Sequence, residues 1–227
     1  MPEPGPNKAN FEREYASPVA RQIADWVVDS GDNQRLPFVI LDKIDAKVFV
    51  FHANGQLRGA APALIGWAVG DDSVPGIGDR KLSSIRPEER TTPAGRFVAA
   101  LDRNLKGKKM LWVDYDSAIS LHPVITTNPK ERRAQRLATP SPLDNRNSYG
   151  CINVPAEFFK KVVSPAFASS NGIVYVLPEN QPARDFFGAY EVDKRAQSHR
   201  RRFPDSKPLT TSTSTSTLII ANHKDQP

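Results

Sequence analysis

A single cysteine, Cys151, is present in 227 residues, which excludes a disulfide within the chain and a zinc site built from several thiolates. Long apolar runs are also missing: no segment approaches the roughly 18 residues that a membrane span requires. Histidine is sparse, at His52, His122, His199 and His223. The formal net charge is +6, but no zinc-finger or helix-turn-helix signal accompanies it, and much of the excess sits in local groups such as Arg200, Arg201 and Arg202. The basic balance therefore reads as a solvated face or tail, with attraction to an anionic surface as the alternative, and no nucleic acid is expected as a partner. The opening MPEPGPNKANF has neither the charged leader nor the apolar stretch of a signal peptide. Two readings stay open: a cytoplasmic protein, or a chain that starts after a removed leader, with Pro2, Pro4 and Pro6 belonging to a former linker.

What is present supports one substantial core, since 39% of residues are hydrophobic. A helix is expected from Pro18 to Asp29. Ser17 can cap it, Pro18 suits a first helical position, and Gly31 lies just past its end. Val19, Ile23, Trp26 and Val27 share one face, so the helix should pack on the domain. From Leu36 the period shortens to that of strands, at 36–41 and 46–51, with Asn54-Gly55 as a hairpin turn. Further strands are expected at 63–69, 95–100, 110–115, 118–121 and 173–177. The stretches 70–92 and 123–147 read as long loops, the kind retained in compact domains when they serve a site. A short helix is expected from Pro155 to Val163. Beyond Pro182, Phe186, Phe187 and Tyr190 could dock on the core, and 210–217 reads either as a low-complexity tail or as an edge strand running into Leu218, Ile219 and Ile220. The fold class is mainly β with helices at the margins, since the regular strand-helix alternation of a doubly wound sheet is missing. The chain divides into an arm and packing helix at 1–35, a central domain at 36–180, and a basic, partly flexible extension at 181–227.

Cys151 follows Gly150 in NSYGCINVP, where a loop gives way to a β-like pair. Glycine there permits an unusual backbone angle and close approach by a substrate, and neighbouring amides could meet a developing oxyanion. A thiol is a poor nucleophile near neutrality unless a histidine or a positive charge lowers its pKa. His199 and His223 lie in the basic segment and tail, and His52 precedes a turn. His122 ends the strand-like run SAISLH just before a long loop and is the best partner by elimination. The bland alternatives are a cysteine that is only a small buried hydrophobe and a histidine that is only structural.

The motif resembles the L,D-transpeptidase catalytic domain family (YkuD-like). Ser148, Gly150, Cys151, Ile152 and Asn153 match its Ser/Thr-His-Gly-Cys segment in order, TTPAGRF at 91–97 is similar to its Thr-Pro-x-Gly-x-Phe segment, and His122 stands as its upstream histidine. The runs at 46–69 and 172–179 resemble its opening hairpin and closing strand, so the resemblance covers about 36–179. Tyr149 replaces the usual histidine, Pro123 stands where relatives often have Gly or Ser, and the 29-residue interval from His122 to Cys151 is longer than usual, implying an insertion in which ERRAQR at 131–136 forms a charged helical patch. The resemblance implies a compact β-sandwich or sheet domain and a thioester at Cys151, with His122 as base. It implies peptidoglycan stem peptides as partners, acylation by carbapenem inhibitors, no metal or organic cofactor, and a place in the bacterial periplasm or envelope, assuming a leader ahead of the sequence. Gly150, Ser148, Tyr149 and Asn153 would support the loop or the oxyanion, and Arg146 would meet a substrate carboxylate. A carboxypeptidase or other cysteine amidase that passes the acyl group to water is the nearest alternative, and a noncatalytic wall-binding or structural protein is the other.

Overall fold

The computed structural model describes residues 6–195. The group Arg200–Arg202, the 210–220 segment, His199, His223, Pro2 and Pro4 lie outside the described residues. The expected first helix is α1 (Pro18–Ser30): Ser17 Oγ accepts from the Ala20 amide at 3.0 Å, and Gly31 closes the helix in the left-handed region. Ile23, Trp26 and Val27 are buried, while Val19 is exposed.

Among the described residues ten strands follow: β1 (Phe38–Asp42), β2 (Lys47–Phe51), β3 (Leu57–Pro62), β4 (Ile65–Gly66), β5 (Gly95–Arg103), β6 (Lys109–Asp114), β7 (Ile119–Pro123), β8 (Arg146–Ser148), β9 (Ile152–Val154) and β10 (Gly172–Val176). Eight form one mixed sheet in the order β3-β2-β1-β10-β5-β6-β7-β9, and β4 pairs with β8 in a small second sheet. The large sheet turns at β5, whose first half pairs with β10 and whose second half pairs with β6. One half of the sheet thus folds back over the other.

Alternation along the strands then fills two layers. Val39, Leu41, Val48, Val50, Val174 and Val176 meet Leu111, Leu121, Ile152 and Val154 between the two halves. Phe38, Ile40, Phe49, Phe51, Ile173 and Tyr175 face the other way, beneath Ile23, Trp26 and Val27 of α1. β1, β2 and β10 are therefore apolar on both faces, and each buried Phe contributes about 1.5–3 kcal/mol. A helical run, α3 (Ala156–Phe158) continuing through a π-helical stretch (Phe159–Val163) into α4 (Ser164–Ala166), caps the first layer with Phe159 and Val163. The docking expected beyond Pro182 takes the form of α5 (Ala183–Phe187), where Phe187 meets Tyr175 edge-on at 5.9 Å and stacks on Trp26 at 6.5 Å. No helix among the described residues is long and apolar enough to cross a membrane.

Two expectations need correction. The strand expected at 63–69 shrinks to the two residues of β4, because the chain there runs against the 90–92 backbone: a Cβ on Gly66 would stand 2.3 Å from the Arg90 carbonyl oxygen. The supposed loop at 123–147 is built rather than irregular. It holds a 3-10 turn (Pro129–Glu131), α2 (Arg133–Ala138), a second 3-10 turn (Pro142–Asp144) and β8. Arg136 ties it together, donating to the carbonyls of Glu131 at 2.9 Å and Asp144 at 2.6 Å.

Candidate active site

Period-2 alternation on β6 and β7 makes one wall of a cleft. Leu111, Val113, Ile119 and Leu121 point into the core, so Met110, Trp112, Ser120 and His122 point out of it. β7 pairs in parallel with β9, which sets His122 opposite Asn153 and brings Cys151, one residue before β9, beside β7. The cleft so formed has a volume of about 890 Å³ and includes Cys151, Ser120, His122, Trp112, Ile125 and Phe159. A second, tighter cavity of about 60 Å³ also reaches Cys151, from the side of Ile77, Arg80, Ile85 and Tyr149.

The half-buried Cys151 sulfur shares the cleft wall with the His122 imidazole and lies 3.7 Å from Ser120 Oγ and 3.6 Å from the Ala118 carbonyl oxygen. The other ring nitrogen of His122, Nδ1, is 2.8 Å from the Pro123 carbonyl oxygen. A carbonyl only accepts, so Nδ1 carries the hydrogen and Nε2 is left as the basic nitrogen. Burial pushes the Cys151 thiol up, but the hydrogen bond and charge of His122, helped by Ser120, outweigh it and hold the thiol below its ordinary value. Burial likewise opposes the imidazolium, yet Cys151 and the Pro123 carbonyl raise His122 above its usual value. Each group favours the charged form of the other.

The turn that carries Cys151 is held at both of its carbonyls. Ser148 Oγ donates to the Cys151 carbonyl at 2.6 Å and Asn153 Nδ2 at 3.1 Å, while Thr92 Oγ donates to the Gly150 carbonyl at 2.7 Å and accepts from the Gly66 amide at 2.8 Å. Gly150 has φ +126°, and a Cβ there would stand 2.7 Å from the Thr91 carbonyl oxygen and 2.8 Å from Ile119 Cδ1. Gly150→Ala is expected to add about 1–3 kcal/mol of backbone strain and to displace the sulfur. Iodoacetamide should then label Cys151 about 5- to 150-fold more slowly, the factor to which strain of that size corresponds; labelling at the parent rate would show that the turn tolerates a side chain.

The structure thus gathers Cys151, His122, Ser148, Gly150 and Asn153. The Gly150 amide is engaged, donating to Ser148 Oγ at 3.1 Å, so it points into the turn. Tyr149 lies along the smaller cavity with the Arg90 guanidinium 3.8 Å above its ring. Arg146 is not brought to the cleft. It pairs with Glu179 and donates to the Ala68 carbonyl at 3.2 Å, within a buried group where Lys43 Nζ reaches the Gly70 carbonyl at 2.6 Å, Asp71 at 2.8 Å and the Thr92 carbonyl at 3.1 Å. Ser120, Thr92 and Arg133 were not singled out from the sequence. Ser120 was within reach of that reading, since two positions before His122 on a strand is the same face. Among the described residues no three His, Cys, Asp or Glu side chains converge as a metal site.

No family model and no curated protein sequence matches the chain. Among solved structures it is similar to the helical cell shape determining protein Pgp2 from Campylobacter jejuni, at 15% identity over 71% of this chain and 52% of that one, with a TM-score of 0.43. It is also similar to the catalytic domain of an E. faecium L,D-transpeptidase, at 15% identity over 62% of this chain and 96% of that domain, with a TM-score of 0.37. The chain spans about half the length of the Pgp2 chain it matches, and likeness at this level adds nothing to what the side chains themselves show.

Proposed function

We propose that the protein is a cysteine acyltransferase of the L,D-transpeptidase type, acting on peptidoglycan stem peptides in the bacterial periplasm or envelope. The observation that carries this reading is the placement of Cys151 and His122 on the wall of one cleft, where each favours the charged form of the other, with His122 fixed in one tautomer by the Pro123 carbonyl. His122 Nε2 takes the thiol proton and the thiolate attacks the carbonyl carbon of the donor peptide. The resulting oxyanion would be met by backbone amides of the turn next to Cys151. As the C–N bond breaks, the imidazolium returns its proton to the departing amine, terminal D-Ala in the donor the motif implies. An acceptor amine, the side-chain amine of another stem's diamino acid, then attacks the thioester, passes its proton to His122 and releases the thiolate.

Two features support a peptide acyl donor with free carboxylates. Arg103, Lys108, Lys109 and Lys160 line the large cleft and no Asp or Glu does, so its field favours anions. Trp112, Ile125 and Phe159 supply apolar surface between them. The approach to the sulfur from two sides suits a donor and an acceptor that must both reach one atom.

Incubation with isolated muropeptides, with and without an added acceptor stem, tests the reading by mass spectrometry of the protein and of the products. The expected result is loss of D-Ala, an acyl adduct on Cys151 and a crosslinked dimer, with a carbapenem also adding to Cys151. Loss of D-Ala without dimer assigns the acyl group to water instead. No product and no adduct would sink both enzymatic readings.

A further inference from the structure

The segment between His122 and Cys151 does more than lengthen the chain. Arg133, the first residue of α2, has a side chain only 13% exposed, and its guanidinium points inward at the nucleophile turn. Nη1 donates to Asn153 Oδ1 at 3.2 Å, Nη2 donates to the Asn147 carbonyl at 3.3 Å, and Nε pairs with Glu131. Asn153 is 1% exposed, and its backbone is fixed by two hydrogen bonds of 2.8 Å with Leu64. Its side-chain amide retains one freedom, rotation by half a turn. A guanidinium has donors only, so it requires the oxygen Oδ1 on its side. The NH2 group is thereby turned toward the Cys151 carbonyl, which it meets at 3.1 Å.

We propose that Arg133 is a positioning residue for Cys151: by fixing which end of the Asn153 amide faces the turn, it holds the Cys151 carbonyl and keeps the sulfur against His122. This extends the cysteine-nucleophile reading given above and rests on it only for its biological meaning. Positioning itself needs no peptide substrate. Without Arg133 the oxygen of Asn153 can swing toward the Cys151 carbonyl, where two acceptors repel, and Ser148 Oγ is left as the remaining side-chain donor to it.

The test is the rate at which iodoacetamide labels Cys151 in the full chain, compared for the parent, R133M, N153A, the double variant and R133K. R133M and N153A should each label about tenfold more slowly, the scale of one lost charge-assisted hydrogen bond. Because one residue acts through the other, the double variant should be no slower than N153A. R133K keeps the charge and one donor and should fall between parent and R133M. The Asn153 side-chain amide protons should also exchange faster in R133M, which decides the matter by itself if N153A does not fold. Labelling of R133M within twofold of the parent, or two losses that multiply in the double variant, would overturn the proposal. Labelling reads the thiolate alone, so a protein that fails on muropeptides can still pass this test, and the reverse.

Discussion

His122→Ala is expected to slow acylation of Cys151 by about 10²–10⁴-fold, the range over which a positioned general base contributes. Two effects combine. The variant loses the acceptor for the thiol proton, and it loses the charge that holds the thiol below its ordinary value against burial. The second effect can be read separately, from the pH dependence of iodoacetamide labelling. With Cys151 lowered and His122 raised, each favours the charged form of the other, so the parent should label below the pH at which a free thiol switches on. In His122→Ala the burial that remains pushes the thiol up against Ser120 alone, and the midpoint should move alkaline. A midpoint that stays in place would mean that His122 does not set the charge of Cys151. Cys151→Ala, in contrast, should abolish every adduct at all pH values, since no other cysteine exists in the chain.

Lys43→Met should produce the largest loss of stability, about 3–5 kcal/mol, the scale for breaking a buried ion pair by removing one partner. Lys43 is 2% exposed and Asp71 7%. Its ammonium lies 2.8 Å from Asp71 and 3.5 Å from Glu179, and Arg146 satisfies only the second of these carboxylates. For a chain of this size such a loss lowers the melting temperature by about 6–20 °C, and calorimetry at neutral pH measures it directly. Acid should act in the same direction. Burial raises the Asp71 carboxyl, but Lys43 and the amides of Glu179 and Asn180 outweigh it and leave the pKa depressed. A depressed carboxylate contributes stability that is complete above its unfolded pKa and is lost as pH falls through the folded value. The parent should therefore lose stability below the ordinary carboxylate range, while Lys43→Met loses less on acidification because its Asp71 no longer has a cation to keep it ionised. A variant that melts within about 1 kcal/mol of the parent, the worth of an exposed ion pair, would show that the group is not desolvated as the structure places it.

The parts that were legible in the sequence are those where one residue type carries one physical meaning. Ser17-Pro18 and Gly31 bound α1, alternation gives the strands, and a cysteine after glycine with a histidine ending a strand identifies the pair that β7 and β9 bring together. The parts that were hidden depend on partners distant in sequence. Lys43 looks like any lysine at a strand end, because nothing near it indicates Asp71 28 positions on. Arg146 was read as waiting for a substrate carboxylate, and the carboxylate it finds belongs to Glu179, 33 positions away. The 123–147 stretch looked irregular because its order comes from side chains gripping backbone carbonyls, as Arg133 and Arg136 do, rather than from any apolar period. Tyr149 was visible as a departure from the motif, but its stacking under Arg90 was not.

The place of β10 in the sheet has a consequence for synthesis. It is the last strand among the described residues, yet it lies between β1 and β5, with Ile173 paired to Phe38 and to Val98. The two halves of the sheet have no direct ladder between β1 and β5 until β10 supplies one, and contacts of such long range form late. Cys151 and His122 both precede β10 in the chain, so the half of the sheet that carries them joins β1 and β2 only when β10 takes its place. The setting of Cys151 is therefore complete only when β10 is in place, and the reactivity expected of its thiol depends on completion of the sheet.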